Sequence, residues 1–155
     1  VSRGLGDVYK RQEEEKQAIV EFAHKNKLKT ISLCDYQDFC DQHIVCRPDE
    51  ILGYFKKANY IVTDTFHGTI FSVIFHKQFG TFCRSKSNTG STNQEKLLDL
   101  LHRLQLENQL IKDVRNLETT LTSEIDYESV DLIREQEKAK SINYLRANIS
   151  IPKER

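Results

Sequence analysis

The residues best suited to chemistry lie together in the middle of the chain, in the run Thr63-Asp64-Thr65-Phe66-His67-Gly68-Thr69. A histidine side chain titrates near neutrality, so His67 can give or take a proton at cellular pH. The N–H groups of Gly68, Thr69 and Ile70 are expected in the first turn of a helix, where backbone donors lack partners within the helix. A phosphate or carboxylate placed there would meet those donors and the positive end of the helix dipole. Gly68 has no side chain to block a close approach, and Thr65 and Thr69 each offer a hydroxyl. Asp64 can orient His67 as a carboxylate orients the histidine of a hydrolytic triad. The capping role, filled by Asp64 or Thr65, is the favoured reading for Asp64. The residue types alone leave His67 open between a proton-transfer role and simple capping or packing.

A second group follows further along the chain. Arg84 and Lys86 sit in RSKSNTGSTN, a polar, basic loop expected to face the same crevice. Two cations beside a helix N-terminus can clamp an anion; the competing reading is a solvated loop without a specific partner. His24 and His102 fall on amphipathic helices and read as surface residues. His76 closes the central helix, where the dipole favours a cation, and His43 is a weaker candidate in the loop after the first strand. Cys34, Cys40, Cys46 and Cys83 form no C-x-x-C pair and match no common zinc spacing. Asp35, Asp38, Asp41 and His43 are interspersed with them and could group around a metal. Free thiols are the favoured account, with neither a metal nor a cofactor expected.

These residues need elements to hold them. Gln12 to Lys27 carries Ala18, Ile19, Phe22 and Ala23 at helical spacing. Lys29 to Cys34 reads as a strand with Ile31 and Leu33 inward, and Asp35 to Arg47 as a loop. Pro48 opens a helix whose apolar face is Ile51, Leu52, Phe55 and Ala58. The run YIVT, Tyr60 to Thr63, suits a strand covered on both faces. From His67 a helix that is apolar nearly all round reads as central. Phe79 to Cys83 is a strand, Gln94 to Leu104 a leucine-rich helix, and Leu110-Ile111 a short strand. A last helix, Asp126 to Asn148, is expected to dock through Val130, Ile133, Ile142, Leu145 and Ile149. Such alternation predicts an α/β domain with a parallel sheet and helices on both faces. Ligands of such sheets sit at the carboxyl ends of the strands, here the loops after Cys34, Thr63 and Cys83.

Composition narrows the partners. The 155 residues carry 23 basic and 23 acidic side chains, so no net field draws the chain to nucleic acid or an anionic membrane. No apolar run reaches the length of a membrane span. The chain contains no methionine, and VSRGLGDVYKRQ lacks helical or strand period. Residues 1–12 are therefore read as a non-native leader, 13–149 as the domain and 150–155 as a tail, the whole being a fragment.

The stretch RPDEILGYFKKANYIVTDTFHGTIFSVIFHKQFGTFCRS resembles the C-terminal half of the bacterial polysaccharide pyruvyl transferase family. A strand ending in T-D, the F-H-G-T turn opening an apolar helix, and an F-x-K-x-F segment running into a strand carry the likeness. The leucine-rich helix followed by L-x-L-E-N-Q-L-I is also similar. The resemblance implies a Rossmann-like domain, the second of two in a type B glycosyltransferase-like architecture, with an N-terminal domain of the same enzyme as its partner. It also implies phosphoenolpyruvate as donor and a glycan acceptor, lipid-linked at the membrane, joined as a pyruvyl ketal in exopolysaccharide biosynthesis. The donor, a cytosolic metabolite, implies a cytoplasmic location. His67 matches the family histidine, with Arg84, Lys86 and the helix N-terminus supporting departing phosphate. Asn93 stands about where members often carry an arginine. Two other readings remain: the nucleotide-sugar-binding half of a glycosyltransferase, for which Glu95 and Asp99 are the nearest acids, and a non-catalytic binding module.

Overall fold

A computed structural model describes residues 5–83 and 92–149. Helix α1 (Leu5–Lys25) leads into strands β1 (Ile31–Leu33) and β2 (Gln42–Ile44), then helix α2 (Pro48–Lys57). Strand β3 (Tyr60–Thr63), helix α3 (Phe66–Ile74) and strand β4 (Gln78–Phe82) form the centre. Helix α4 (Thr92–Arg103), strand β5 (Leu110–Ile111), helix α5 (Leu117–Thr122) and the long helix α6 (Tyr127–Asn148) complete the described chain. The strands pair in parallel throughout, as the alternation predicted. They form two sheets rather than one, β1-β2 and β3-β4-β5.

Helices cover both faces of the three-stranded sheet. On one face Ile61 and Phe79 pack with Val73 of α3, Leu101 of α4 and Val130 of α6. On the other, Phe82 and Ile111 pack with Phe22 of α1 and Leu117 and Leu121 of α5, joined by Tyr60 and Val62. Successive strand residues therefore feed opposite cores, which is why YIVT carries no polar alternation. Phe79 is fully buried, and burying a side chain of that size contributes about 2–3 kcal/mol.

Three helices stop by the same device. Lys27, His76 and Gln105 take left-handed backbone angles, with φ of 54°, 51° and 57°. In each case the next residue's N–H reaches back to a carbonyl of the last turn: Leu28 to Ala23 at 2.9 Å, Lys77 to Ser72 at 2.9 Å and Leu106 to Leu101 at 2.8 Å. This is the Schellman arrangement, built here without the glycine that usually serves it. It turns the chain sharply out of α3 and straight into β4, fixing the strand beside β3.

Several expectations are corrected. The segment Asp35 to Arg47 is not wholly a loop, because Gln42, His43 and Ile44 pair with Ile31, Ser32 and Leu33. In β1 the inward residue is Ser32, while Ile31 is 45% exposed. The Ser32 hydroxyl meets Nδ1 of the exposed His43 at 3.1 Å. Helix α2 buries none of its residues fully, and Leu52 of its expected apolar face is exposed. Helix α3 is not covered all round: its buried face is Gly68, Thr69, Ser72 and Val73, whereas Ile74 is exposed. Small side chains let α3 lie close against the sheet, so its bulky residues are left at the sides. Helix α6 docks through Val130 and Ile133, but Ile142, Leu145 and Ile149 are exposed. Every residue from Lys138 to Ile149 is exposed, so the distal half of the helix extends beyond the sheet it starts from.

Candidate functional site

Strands β3 and β4 run in register with Thr63 opposite Thr81, so the residues after them emerge at one edge. Asp64 and Thr65 follow β3, and Cys83 follows β4. Thr65 is the N-cap of α3: its extended backbone turns the chain, and its Oγ1 accepts from the Gly68 N–H at 3.0 Å. The Thr65 N–H in turn donates to Thr63 Oγ1 at 3.2 Å, and the two threonine hydroxyls lie 3.1 Å apart. The Thr65 carbonyl accepts from the Thr69 N–H at 3.1 Å and from the Thr69 hydroxyl at 3.0 Å. Thr65 thus holds two of the three backbone donors expected to face a ligand or continue the helix.

Gly68 and Thr69 point into the fold. A Cβ on Gly68 would lie 2.2 Å from Thr63 Oγ1, 2.8 Å from Thr65 Oγ1 and 3.0 Å from Thr63 Cβ. Glycine is needed here because the helix start presses on the end of β3. Thr69 is fully buried, and its hydroxyl meets the equally buried Thr81 hydroxyl at 2.9 Å. Ser72 closes the set by donating to the Gly68 carbonyl at 2.7 Å. These hydroxyls rivet α3 to β3 and β4. Thr63 opens the run singled out in the sequence, but its role in this scaffold and that of Thr81 were not expected.

His67 and Asp64 are left on the outside of this scaffold. His67 is exposed on the first turn of α3, its ring edge-on to Phe66 at 5.9 Å and tilted against Phe71 at 6.4 Å between centroids. Phe71 packs edge-on against Phe55 of α2 at 5.5 Å, so the wall behind the imidazole is aromatic and anchored. Asp64 is exposed in the bend between β3 and α3. Cys83 is half-buried at the end of β4; burial pushes its thiol up, partly offset by a hydrogen bond with Gln94. Arg84 and Lys86 lie outside the described residues.

The remaining candidates sit elsewhere. His43 faces Ser32 and stands edge-on to Tyr36 at 5.6 Å, in the two-stranded sheet. His76 is tied to Asp131 of α6 at 2.9 Å and stacks on Tyr127 at 4.5 Å. His102 meets Glu107 at 2.7 Å, and Asp99 is paired with Arg103 at 2.9 Å along α4. Among the described residues no group of three or more His, Cys, Asp or Glu could hold a metal ion, and no helix is long and apolar enough to cross a membrane. Open grooves run along α1, one of them lined by Glu21, Lys25, Arg115 and Glu118; none reaches His67.

An α/β domain with parallel strands and a polar turn at the strand ends is the class of protein these elements define. Within it, residues 7–82 match the family model of the polysaccharide pyruvyl transferases, and over that stretch the chain is similar to this transferase family. The match includes β3, the whole D-T-F-H-G-T turn, α3 and β4. No curated protein and no solved structure matches the chain.

Proposed function

We propose that this chain is the donor-side part of a polysaccharide pyruvyl transferase, moving pyruvate from phosphoenolpyruvate onto two hydroxyls of a cell-surface glycan. The observation that carries the reading is the placement of an exposed histidine on the first turn of α3, at the carboxyl end of β3, within a stretch matched by that family. In the proposed reaction His67, as imidazolium, gives its proton to the methylene carbon of phosphoenolpyruvate. The substituted carbon becomes electrophilic, and one sugar hydroxyl adds to it. A second hydroxyl displaces phosphate from the same carbon, closing the ketal. One hydroxyl proton restores the imidazolium and the other leaves with phosphate. A positioned acid of this kind accelerates proton transfer by roughly 10²–10⁴-fold.

The supporting groups follow from the same reading. Arg84 and Lys86, next along the chain from β4, are proposed to take the phosphate, with Asp64 setting the imidazole. Thr65, Gly68 and Thr69 shape the turn, and their internal hydrogen bonds support a positioning role rather than direct donor contact. A second domain of the same enzyme, in a type B glycosyltransferase-like arrangement, is proposed to bring the glycan. The acceptor is lipid-linked and the reaction cytoplasmic in this account. Phosphate release from phosphoenolpyruvate in the presence of glycan, compared between the unaltered protein and His67→Asn, tests it. A roughly 10²-fold or greater loss is expected. Equal rates would remove His67 from the chemistry, and release driven by a nucleotide sugar instead would reassign the donor.

A further inference from the structure

We propose that Cys34 and Cys46 form a reversible dithiol site, which a low-molecular-weight disulfide converts to an intramolecular disulfide across the mouth of the two-stranded sheet. Their sulfur atoms lie 3.8 Å apart, and Cys34 Sγ also reaches the Cys46 carbonyl at 3.7 Å. Parallel pairing brings this about: Leu33 lies opposite Ile44, and the Cys34 N–H extends the ladder by donating to the Ile44 carbonyl at 2.9 Å. Cys34 then leaves the strand with φ of 66°, a left-handed angle unusual for a residue with a side chain. A disulfide needs the sulfurs at about 2.05 Å. Residues 45–47 belong to neither strand nor helix, so Cys46 can close the gap without breaking the β1–β2 pairing.

The two thiols differ in a way that orders the steps. Cys34 is exposed and Cys46 half-buried. Burial and the adjoining Cys34 thiol push the Cys46 thiol up. The Cys34 thiolate attacks one sulfur of the small disulfide, forming a mixed disulfide and releasing one thiolate. The Cys46 thiolate then attacks the Cys34 sulfur, forming the internal bond and releasing the second thiolate. Two cysteine thiols are oxidised, one small disulfide is reduced to two thiols, and the two cysteine protons end on the departing groups. Cys40 is half-buried beside Thr30 and Ser32, and Cys83 follows β4 of the other sheet; neither shares the pair's geometry.

The reduced chain, incubated with oxidised glutathione and then analysed by thiol titration, mass spectrometry and peptide mapping, tests the site. Of the four free cysteines, two should remain titratable, and the mapped bond should join Cys34 to Cys46. Melting should rise by about 5–10 °C, since a loop of this size is closed in the unfolded chain, and dithiothreitol should reverse it. Cys40→Ser and Cys83→Ser should leave the bond intact, whereas Cys34→Ser should abolish it. Four persisting thiols, a lasting glutathione adduct on Cys34, or a bond that includes Cys40 or Cys83 would overturn the proposal.

Discussion

Replacing Gly68 by alanine separates two reasons for a glycine in the D-T-F-H-G-T turn: space for a ligand, or space for the protein itself. The added Cβ would lie 2.2 Å from Thr63 Oγ1 and 3.0 Å from Thr63 Cβ. Rotating the Thr63 hydroxyl away relieves the first contact but breaks its hydrogen bonds with the Thr65 hydroxyl and N–H, at 3.1 and 3.2 Å. Two neutral hydrogen bonds contribute about 1 kcal/mol each. The contact with Thr63 Cβ can be eased only by moving the helix start or the strand end, at a further cost of about 1 kcal/mol. Alanine's better helix propensity returns at most about 1 kcal/mol. The net loss is about 1–3 kcal/mol, a fall of about 3–10 °C in melting temperature for a chain of this size. Thermal unfolding followed by circular dichroism, without ligand, reads this directly. Gly53→Ala in α2 is the control: a Cβ there meets nothing within 4 Å, and stability should rise by about 0.5–1 kcal/mol. Thr63→Ala should soften the effect of Gly68→Ala in a double-mutant cycle. A Gly68→Ala protein as stable as the parent would refute the steric argument and return this glycine to a ligand role.

Other outcomes follow from the same geometry. Thr69→Val should cost about 1–3 kcal/mol, because it strands the buried Thr81 hydroxyl that Thr69 meets at 2.9 Å. Thr69→Val with Thr81→Val should recover part of that loss, as chemical denaturation of the three proteins would show. Gln105→Gly should stabilise by about 1 kcal/mol, since Gln105 holds φ of 57° at the end of α4, a conformation glycine adopts without a Cβ penalty. Asp113 is held at about 2 by hydrogen bonds from the Arg115 side chain and N–H. Its folded value lies below the unfolded one of about 3.9, so its contribution is present above the unfolded value and disappears as pH falls through about 2. Asp113→Asn should flatten the acid limb of a stability–pH curve in that window.

The sequence made the central strand and its turn readable because their signals were local. YIVT is an apolar run with both faces covered, and Thr65 has the side chain an N-cap requires. The places where reading failed depend on what packs from a distance. Strand β2 is Gln-His-Ile, exposed at two of three positions, so no hydrophobic period marks it. Ser32 is buried and its hydroxyl partner, His43, lies eleven residues on. The all-round apolar pattern of α3 suggested a fully covered helix, but close approach to β3 and β4 selects Gly68, Thr69 and Ser72 for the interior. The stripe Ile142, Leu145, Ile149 has correct helical spacing, yet nothing in the pattern shows how far the sheet beneath α6 extends. At the site, Thr65 and His67 were legible as residue types. That Gly68 and Thr69 serve the scaffold was not, because it depends on Thr63 and Thr81, brought together by parallel register.

The central claim is that His67 meets the donor. It is tested most directly by following the His67 imidazole signals by NMR during titration with phosphoenolpyruvate, with His67→Ala to assign them and inorganic phosphate as a second titrant. The account predicts a saturable shift of the His67 resonances that phosphoenolpyruvate produces more strongly than phosphate. Phosphoenolpyruvate at saturating concentration leaving those resonances unmoved would contradict it.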